Sequence, residues 1–348
     1  MTYQLNDKVK NLVPYDAIAG DYKIRLDANE SFIDPGEIFR EQLLSAISGV
    51  KFNRYPDPMA TELREKFARY YGIDPSSVVA GNGSDELISV IQGAFLRPGD
   101  RLLTFSPDFS MYQFYGEIYE KTNCVVEKDE TLALTADDVF KAVRKYDPAA
   151  VLFSNPCSPT SLIMAREDVL RIAENTDALV IVDEAYMDFS DQSVIKNAEK
   201  LDNLIVLKTC SKALGLAAVR LGFAVSSKEI VRALHAVRSP YNVNALSQAV
   251  GCVIFSNPDY IRDAVERIKK SRDHLYRGLL PLEGKGGVRR VIKPDTNFVF
   301  LEMADAGSAF EELKKRSIIV RRLGNYLRIT AGTEAENEAL IQALSEIL

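Results

Sequence analysis

Lys212 stands in Thr209-Cys210-Ser211-Lys212-Ala213-Leu214-Gly215, with Arg220 eight residues further on. A lysine amine among small residues just past a strand can act as a Schiff-base nucleophile, and Ser211 with Arg220 would form a charge-assisted clamp for a phosphate. A Ser-Lys pair alone is equally a surface accident, but a solvated lysine has no need of the small-residue tract from Ala213 to Ala218. Asp183 closes the apolar run Leu179 to Val182, with Tyr186 three residues later. A carboxylate ending a buried strand must be paired. A pyridinium N–H is one suitable partner, and the cap of a following helix is another. Gly81-Asn82-Gly83-Ser84-Asp85-Glu86 opens a helical pattern, where backbone N–H groups and the helix dipole favour a phosphate. On its own this segment reads more simply as a capped helix, and it matches neither nucleotide-binding glycine pattern. Arg321 and Arg328 fall on adjacent candidate strands. Guanidinium forks suit carboxylate or phosphate, although two exposed strand arginines would look the same.

Such groups need a scaffold, and the composition bounds it. The chain has 348 residues, with 43 Lys+Arg against 49 Asp+Glu, a net charge of -6 and 47% hydrophobic residues. That balance excludes a disordered chain and argues against a basic nucleic-acid binder. His235 and His274 are the only histidines, so a catalytic triad or a His-rich metal centre has little material. The four cysteines (Cys124, Cys157, Cys210, Cys252) form no CxxC pair, which argues against zinc and fits a reducing compartment. The N-terminus has no apolar signal region and no stretch approaches membrane-spanning length. The expectation is a cytoplasmic protein with no bound metal, no membrane and no nucleic-acid partner. Its chemistry would be borrowed from a cofactor.

The middle of the chain alternates short apolar runs with amphipathic ones. Strands are expected at Val78–Ala80, Arg101–Phe105, Asn123–Glu127, Val151–Phe153, Leu179–Val182, Leu204–Leu207 and Leu221–Val225. Helices are expected from Ser84 to Leu96 and from Arg166 to Asn175. Thr135 and Asp138 start a third with a capping-box pattern. This implies an α/β fold with a mostly parallel sheet between helices. Ligands in such sheets sit beyond the carboxyl ends of the strands. Five strand ends there offer polar residues, and their concurrence is more telling than any one. A long charged helix from Pro258 to Leu280 precedes strand and helix patterns forming a small α+β lobe. The expected division is a 1–45 segment packed on the small domain, a 46–265 large domain and a 266–348 small domain.

GNGSDE, NPCSPT, VDEAY and SKALGLAAVRLG occur in the order and spacing of fold-type I aminotransferases that use pyridoxal 5'-phosphate, which the chain resembles over nearly its whole length. RLDANES, NRYPDP, SPYNVNALSQA and YLRITAGT extend the likeness, which is strongest to the branch acting on histidinol phosphate. The resemblance implies a mostly parallel seven-stranded sheet sandwiched by helices, plus a small α+β lobe. It implies that Lys212 binds the cofactor and then shuttles the proton, while Asp183 keeps the pyridine nitrogen protonated. Asn155 and Tyr186 would bond the ring oxygen, and an aromatic at or near Tyr112 would stack on the ring. Ser84, Asp85, Thr209, Ser211 and Arg220 would cradle the phosphate. Tyr55 would reach the phosphate of a partner subunit, making a homodimer with shared active sites. Arg321 and Arg328 would take the substrate's acidic group, with Tyr15, Asn29 and Glu30 shaping the pocket. The partners implied are a small-molecule amino donor and a 2-oxo acid. A threonine-phosphate decarboxylase or an aromatic amino-acid aminotransferase of the same fold is the alternative.

Three segments depart from the family pattern. A glycine that usually closes the Asn155 turn is Ser161, so that turn is expected to differ in shape. The stretch between Arg321 and Arg328 is short. Ala17 to Gly20 replaces a proline-glycine pair. The Asn155–Pro156 bond is expected to be cis, so as to aim Asn155 at the ring.

Overall fold

The structure is a computed structural model that describes residues 3–10, 12 and 18–348. Two sheets organise the chain. The larger holds β2 (Val78–Gly81), β3 (Arg101–Ser106), β4 (Thr122–Glu127), β5 (Ala150–Ser154), β6 (Leu179–Asp183), β7 (Leu204–Thr209) and β8 (Gly222–Val225), in the order β2-β8-β7-β6-β5-β3-β4. Only β8 runs against the others, pairing antiparallel with both β2 and β7. The sequence-based strands therefore stand, six of them extended by one or two residues and the last, expected from Leu221, beginning one residue later at Gly222.

Near-continuous apolar strands arise because both faces of this sheet are covered. Alternation within each strand sends Val151 and Phe153 of β5 into one core and Ala150 and Leu152 into the other. Helices Thr61–Tyr71, Ala136–Tyr146 and Arg166–Glu174 seal the first core through Phe67, Val139 and Ile172. Helix Gly83–Phe95 seals the second through Leu87, Ile88 and Ile91. The Thr135 and Asp138 capping box forms in both directions, satisfying two backbone donors at the start of its helix.

The smaller sheet has the order β1-β11-β12-β10-β9, from β1 (Ile24–Leu26), β9 (Val288–Ile292), β10 (Phe298–Met303), β11 (Ile318–Leu323) and β12 (Tyr326–Thr330). Sequence reading missed β1 and β9 as strands. β1 has three residues and pairs parallel to β11 almost three hundred positions away, a contact no local pattern announces. Helix Pro258–Leu279 joins the two cores, burying Ile261, Ala264 and Ile268 in the large one and Leu275 and Leu279 in the small. Among the described residues no helix is long and apolar enough to cross a membrane, and all four cysteines are free.

Candidate active site

Parallel register brings the strand ends to one level: Ser154 of β5 lies opposite Asp183 of β6, which lies opposite Leu207 of β7. Beyond them, between the two sheets, is a cavity of about 630 Å³. Ser84, Asp85, Tyr112, Asp183, Tyr186, Thr209, Ser211, Lys212 and Arg220 line it from the large sheet, and Asn29, Arg321 and Arg328 from the small one.

Asp183 is 4% exposed. Its Oδ2 accepts from Tyr112 Oη at 2.9 Å and its Oδ1 from the Ala185 N–H at 3.0 Å. No cation of the described residues pairs with it. Burial therefore pushes its carboxyl up to about 7, and the nearby Asp108 and Asp85 charges push the same way against those two bonds. A buried carboxylate in this condition is suited to an N–H cation from outside the chain.

The start of helix Gly83–Phe95 borders a recess of the cavity lined by Ser84, Asp85, Thr209, Ser211 and Arg220. Gly83 has φ +82°, and a Cβ there would sit 2.8 Å from an Arg220 guanidinium nitrogen. A Cβ on Gly222 would meet the Ser84 nitrogen at 2.4 Å, so both glycines are required by the close approach of their neighbours. Arg220 reaches Asp85 at 3.2 Å and Ser211 Oγ at 3.4 Å, and Thr209 Oγ1 accepts from the Ser211 N–H at 3.2 Å. Lys212 Nζ donates to Ala28 O at 3.0 Å and lies 6.0 Å from the centre of the Tyr186 ring. Across the cavity, Asn29 Nδ2 donates to Tyr186 Oη at 2.7 Å, tying the lobes together. Arg321 and Arg328 stand directly opposite each other across β11 and β12. Like charges so placed disfavour each other, which suits the pair to an anion. Arg328 also donates to Asp27 O at 2.9 Å and to Ser158 Oγ at 3.4 Å.

Several expected residues lie elsewhere. Asn155 is buried and does not line the cavity. Its amide holds the Met164 backbone in both directions, donating to the carbonyl at 3.0 Å and accepting the N–H at 2.8 Å. The Asn155–Pro156 bond is cis, as expected, yet the side chain clasps its own turn. Tyr112 does line the cavity, but it is buried and its hydroxyl donates to Asp183. Phe109, edge-on to Tyr112 at 5.5 Å, is the half-buried aromatic at the cavity. Tyr55 is 81% exposed, stacked on Tyr241 at 4.5 Å, and does not line this chain's cavity. Tyr15 lies outside the described residues.

The Ser161 turn keeps a glycine-like backbone after all. Ser161 has φ +66° and is fully buried. Its Oγ bonds Thr296 Oγ1 at 2.6 Å and accepts from the Asp295 N–H at 3.0 Å, so contacts to the small lobe offset the strain. Sequence reasoning also missed Arg25 and Asp27 as cavity residues, whereas Asp108 and Phe109 lie at one of the five strand ends expected to face the ligand. Arg25 and Asp27 sat inside a quoted motif, and their two-residue spacing was the available signal.

A phosphorylated pyridine fits these residues: a recess for its phosphate, an unpaired buried carboxylate for its ring nitrogen and an amine for its carbonyl carbon. Residues 21–344 match the family described as aminotransferase class I and II. The chain belongs to that family. It is 37% identical over 341 residues to histidinol-phosphate aminotransferase of Clostridium novyi (strain NT), covering 97% of this chain and 95% of that protein. It is 38% identical over 343 residues to histidinol-phosphate aminotransferase 1 of Carboxydothermus hydrogenoformans, covering 97% and 96%. The fold matches that of histidinol-phosphate aminotransferase from Sinorhizobium meliloti in complex with pyridoxal-5'-phosphate, with a TM-score of 0.87 at 21% identity over 100% and 98% of the chains.

Proposed function

We propose that this chain transfers the amino group of L-histidinol phosphate to 2-oxoglutarate, giving imidazole-acetol phosphate and glutamate in histidine biosynthesis, with pyridoxal 5'-phosphate as cofactor. The carrying observation is one cavity that holds Lys212, the unpaired Asp183 and the Arg220 recess on one wall and the Arg321–Arg328 pair on the other. When bound, the cofactor supplies an aldehyde that takes up the amino group and a cationic ring that draws electron density from the substrate's α-carbon. Asp183 would hold the ring nitrogen and, as an anion, keep it protonated. Phe109 would offer an aromatic face to the ring, and Tyr186 with Asn29 would hold its hydroxyl. Ser84, Asp85, Thr209, Ser211 and Arg220 fix the phosphate through backbone and side-chain donors. Lys212 Nζ, which donates to Ala28 O, would link to the cofactor aldehyde and, once the donor displaces it, move the proton at the α-carbon. Arg321 and Arg328 orient the donor through its phosphate, and the same forks accept a carboxylate of the second substrate.

Residues 46–265 form the cofactor unit and residues 266–348 the substrate unit of a cytoplasmic homodimer. Of the described part of the 1–45 segment expected on the small domain, only β1 joins the small sheet, whereas Phe32, Ile33 and Phe39 pack on the large core. Exposed Phe52, Tyr55, Leu44 and Tyr241 supply an apolar surface for the partner, and Tyr55 completes its phosphate site. The test is a half-reaction panel with histidinol phosphate, phenylalanine, tyrosine and threonine phosphate. Conversion of the cofactor to its amine form is expected to be fastest with histidinol phosphate. Release of CO2 from threonine phosphate without that conversion would overturn the reading.

A further inference from the structure

Arg25 and Asp27 flank Leu26 on the approach to the cavity. Leu26 enters the small core, so alternation sends its two neighbours to the other side, where both line the cavity. The Arg25 fork is spread over two backbone carbonyls, donating to Gly20 O at 3.1 Å and Ile18 O at 3.0 Å. Tyr22 Oη donates to the carbonyl between them, Ala19 O, at 3.3 Å, and the Arg25 guanidinium lies 5.8 Å from the Tyr22 ring centre. Gly20 has φ +127°, and a Cβ there would touch the Tyr22 ring at 3.0 Å. Three consecutive carbonyls are thus held by side chains from the start of the small sheet.

Asp27 fixes the fork. Its Oδ2 accepts from Arg25 at 3.3 Å; it is 7% exposed, and its Oδ1 has no hydrogen-bond partner among the described residues. Among the described residues Arg25 is thus the cation paired with this buried carboxylate. The Asp27 backbone carbonyl meanwhile accepts from Arg328 at 2.9 Å. Ile18 itself lines the cavity. A single short stretch therefore connects the rim at residues 18–20 to a substrate-facing arginine.

We propose that Arg25, oriented by Asp27, is a positioning residue that clips residues 18–20 onto the cavity rim and so sets affinity for the amino donor. The proposal rests on the reading of Arg321 and Arg328 as the donor's anion site. The clip needs a planar fork that spans two carbonyls, which a lysine cannot do. Direct binding of the substrate anion by Arg25 would raise the donor KM on substitution without loosening the backbone of residues 18–22.

The test uses the cofactor-loaded enzyme with Arg25→Lys, Arg25→Gln and Asp27→Asn. Amide hydrogen exchange is followed in peptides covering residues 18–22, together with steady-state kinetics on a donor the parent enzyme converts. Both Arg25 variants are expected to exchange about tenfold faster at residues 18–22 and to raise the donor KM about tenfold, with kcat within about twofold. Asp27→Asn is expected to do the same to a smaller degree. Should Arg25→Gln fail to fold, Arg25→Lys and Asp27→Asn still decide. Unchanged exchange in the variants overturns the clip, as does a normal KM in Arg25→Lys. A parent enzyme inactive on histidinol phosphate defeats the substrate reading instead, while exchange at residues 18–22 continues to report on the clip.

Discussion

On the large-sheet wall of the cavity the polar groups sit at the ends of buried strands and answer mainly to one another: Tyr112 to Asp183, Ser211 to Thr209, Arg220 to Asp85. On the small-sheet wall they are guanidiniums on less buried strands, and the bonds of Arg25 and Arg328 run largely to main-chain carbonyls of residues 18–27. The first wall is set by strand register and is in place before any ligand arrives. The second is set by where a short N-terminal stretch is tied down. The proposed placement, a cofactor that stays bound on the first and substrates that alternate on the second, follows this difference. The difference is one of rigidity, and it can be probed wall by wall.

The largest effect is expected from Lys212→Ala. Loss of its proton transfer should lower transamination by at least about 100-fold, and the visible absorbance of the lysine-linked cofactor should vanish. An unchanged spectrum would move the chemistry away from this wall. Next comes the charge of Asp183. With its carboxyl raised to about 7 against an unfolded value near 4, the folded cofactor-free chain holds a proton that the unfolded chain gives up. Stability therefore falls as pH rises from about 4 through 7, by a few kcal/mol at roughly 1.4 kcal/mol per pH unit. Thermal melts of the cofactor-free chain at pH 5 and pH 7.5 should show this fall, and Asp183→Asn should flatten it. Equal pH dependence in both would mean that the carboxylate has a cationic partner.

Arg328→Gln probes the other wall. Removing a charged hydrogen bond of about 1.5–3 kcal/mol should raise the donor KM by about 10- to 100-fold, while cofactor affinity changes little. A matching loss of cofactor would erase the distinction between the walls. Thr135→Ala is the remote control. Loss of its cap should cost about 1 kcal/mol in denaturant unfolding and leave both KM and cofactor affinity alone.

A resemblance along nearly the whole chain gave the cofactor class, and the sequence by itself determined the elements of the large sheet and its five polar strand ends. Those signals are local: apolar runs of strand length, a capping box at Thr135, glycines at positions 81 and 83, and a lysine among small residues. Each is complete within a window of about ten residues, where chain geometry alone fixes the outcome. Only the tertiary structure decided which side chain meets which across the cavity. Asn155 was expected at the ring and clasps Met164, because its turn needed both amide ends more than the cavity did. Tyr112 and Phe109 both reach the cavity, but the Tyr112 hydroxyl is committed to Asp183 at the end of β6. Ser161 kept a left-handed backbone that a glycine would adopt freely, because Asp295 and Thr296 reach it from the other lobe. Arg25 became legible only once β1 paired with β11, nearly three hundred residues away. Such contacts depend on the register and packing of two sheets, which no short stretch of sequence encodes.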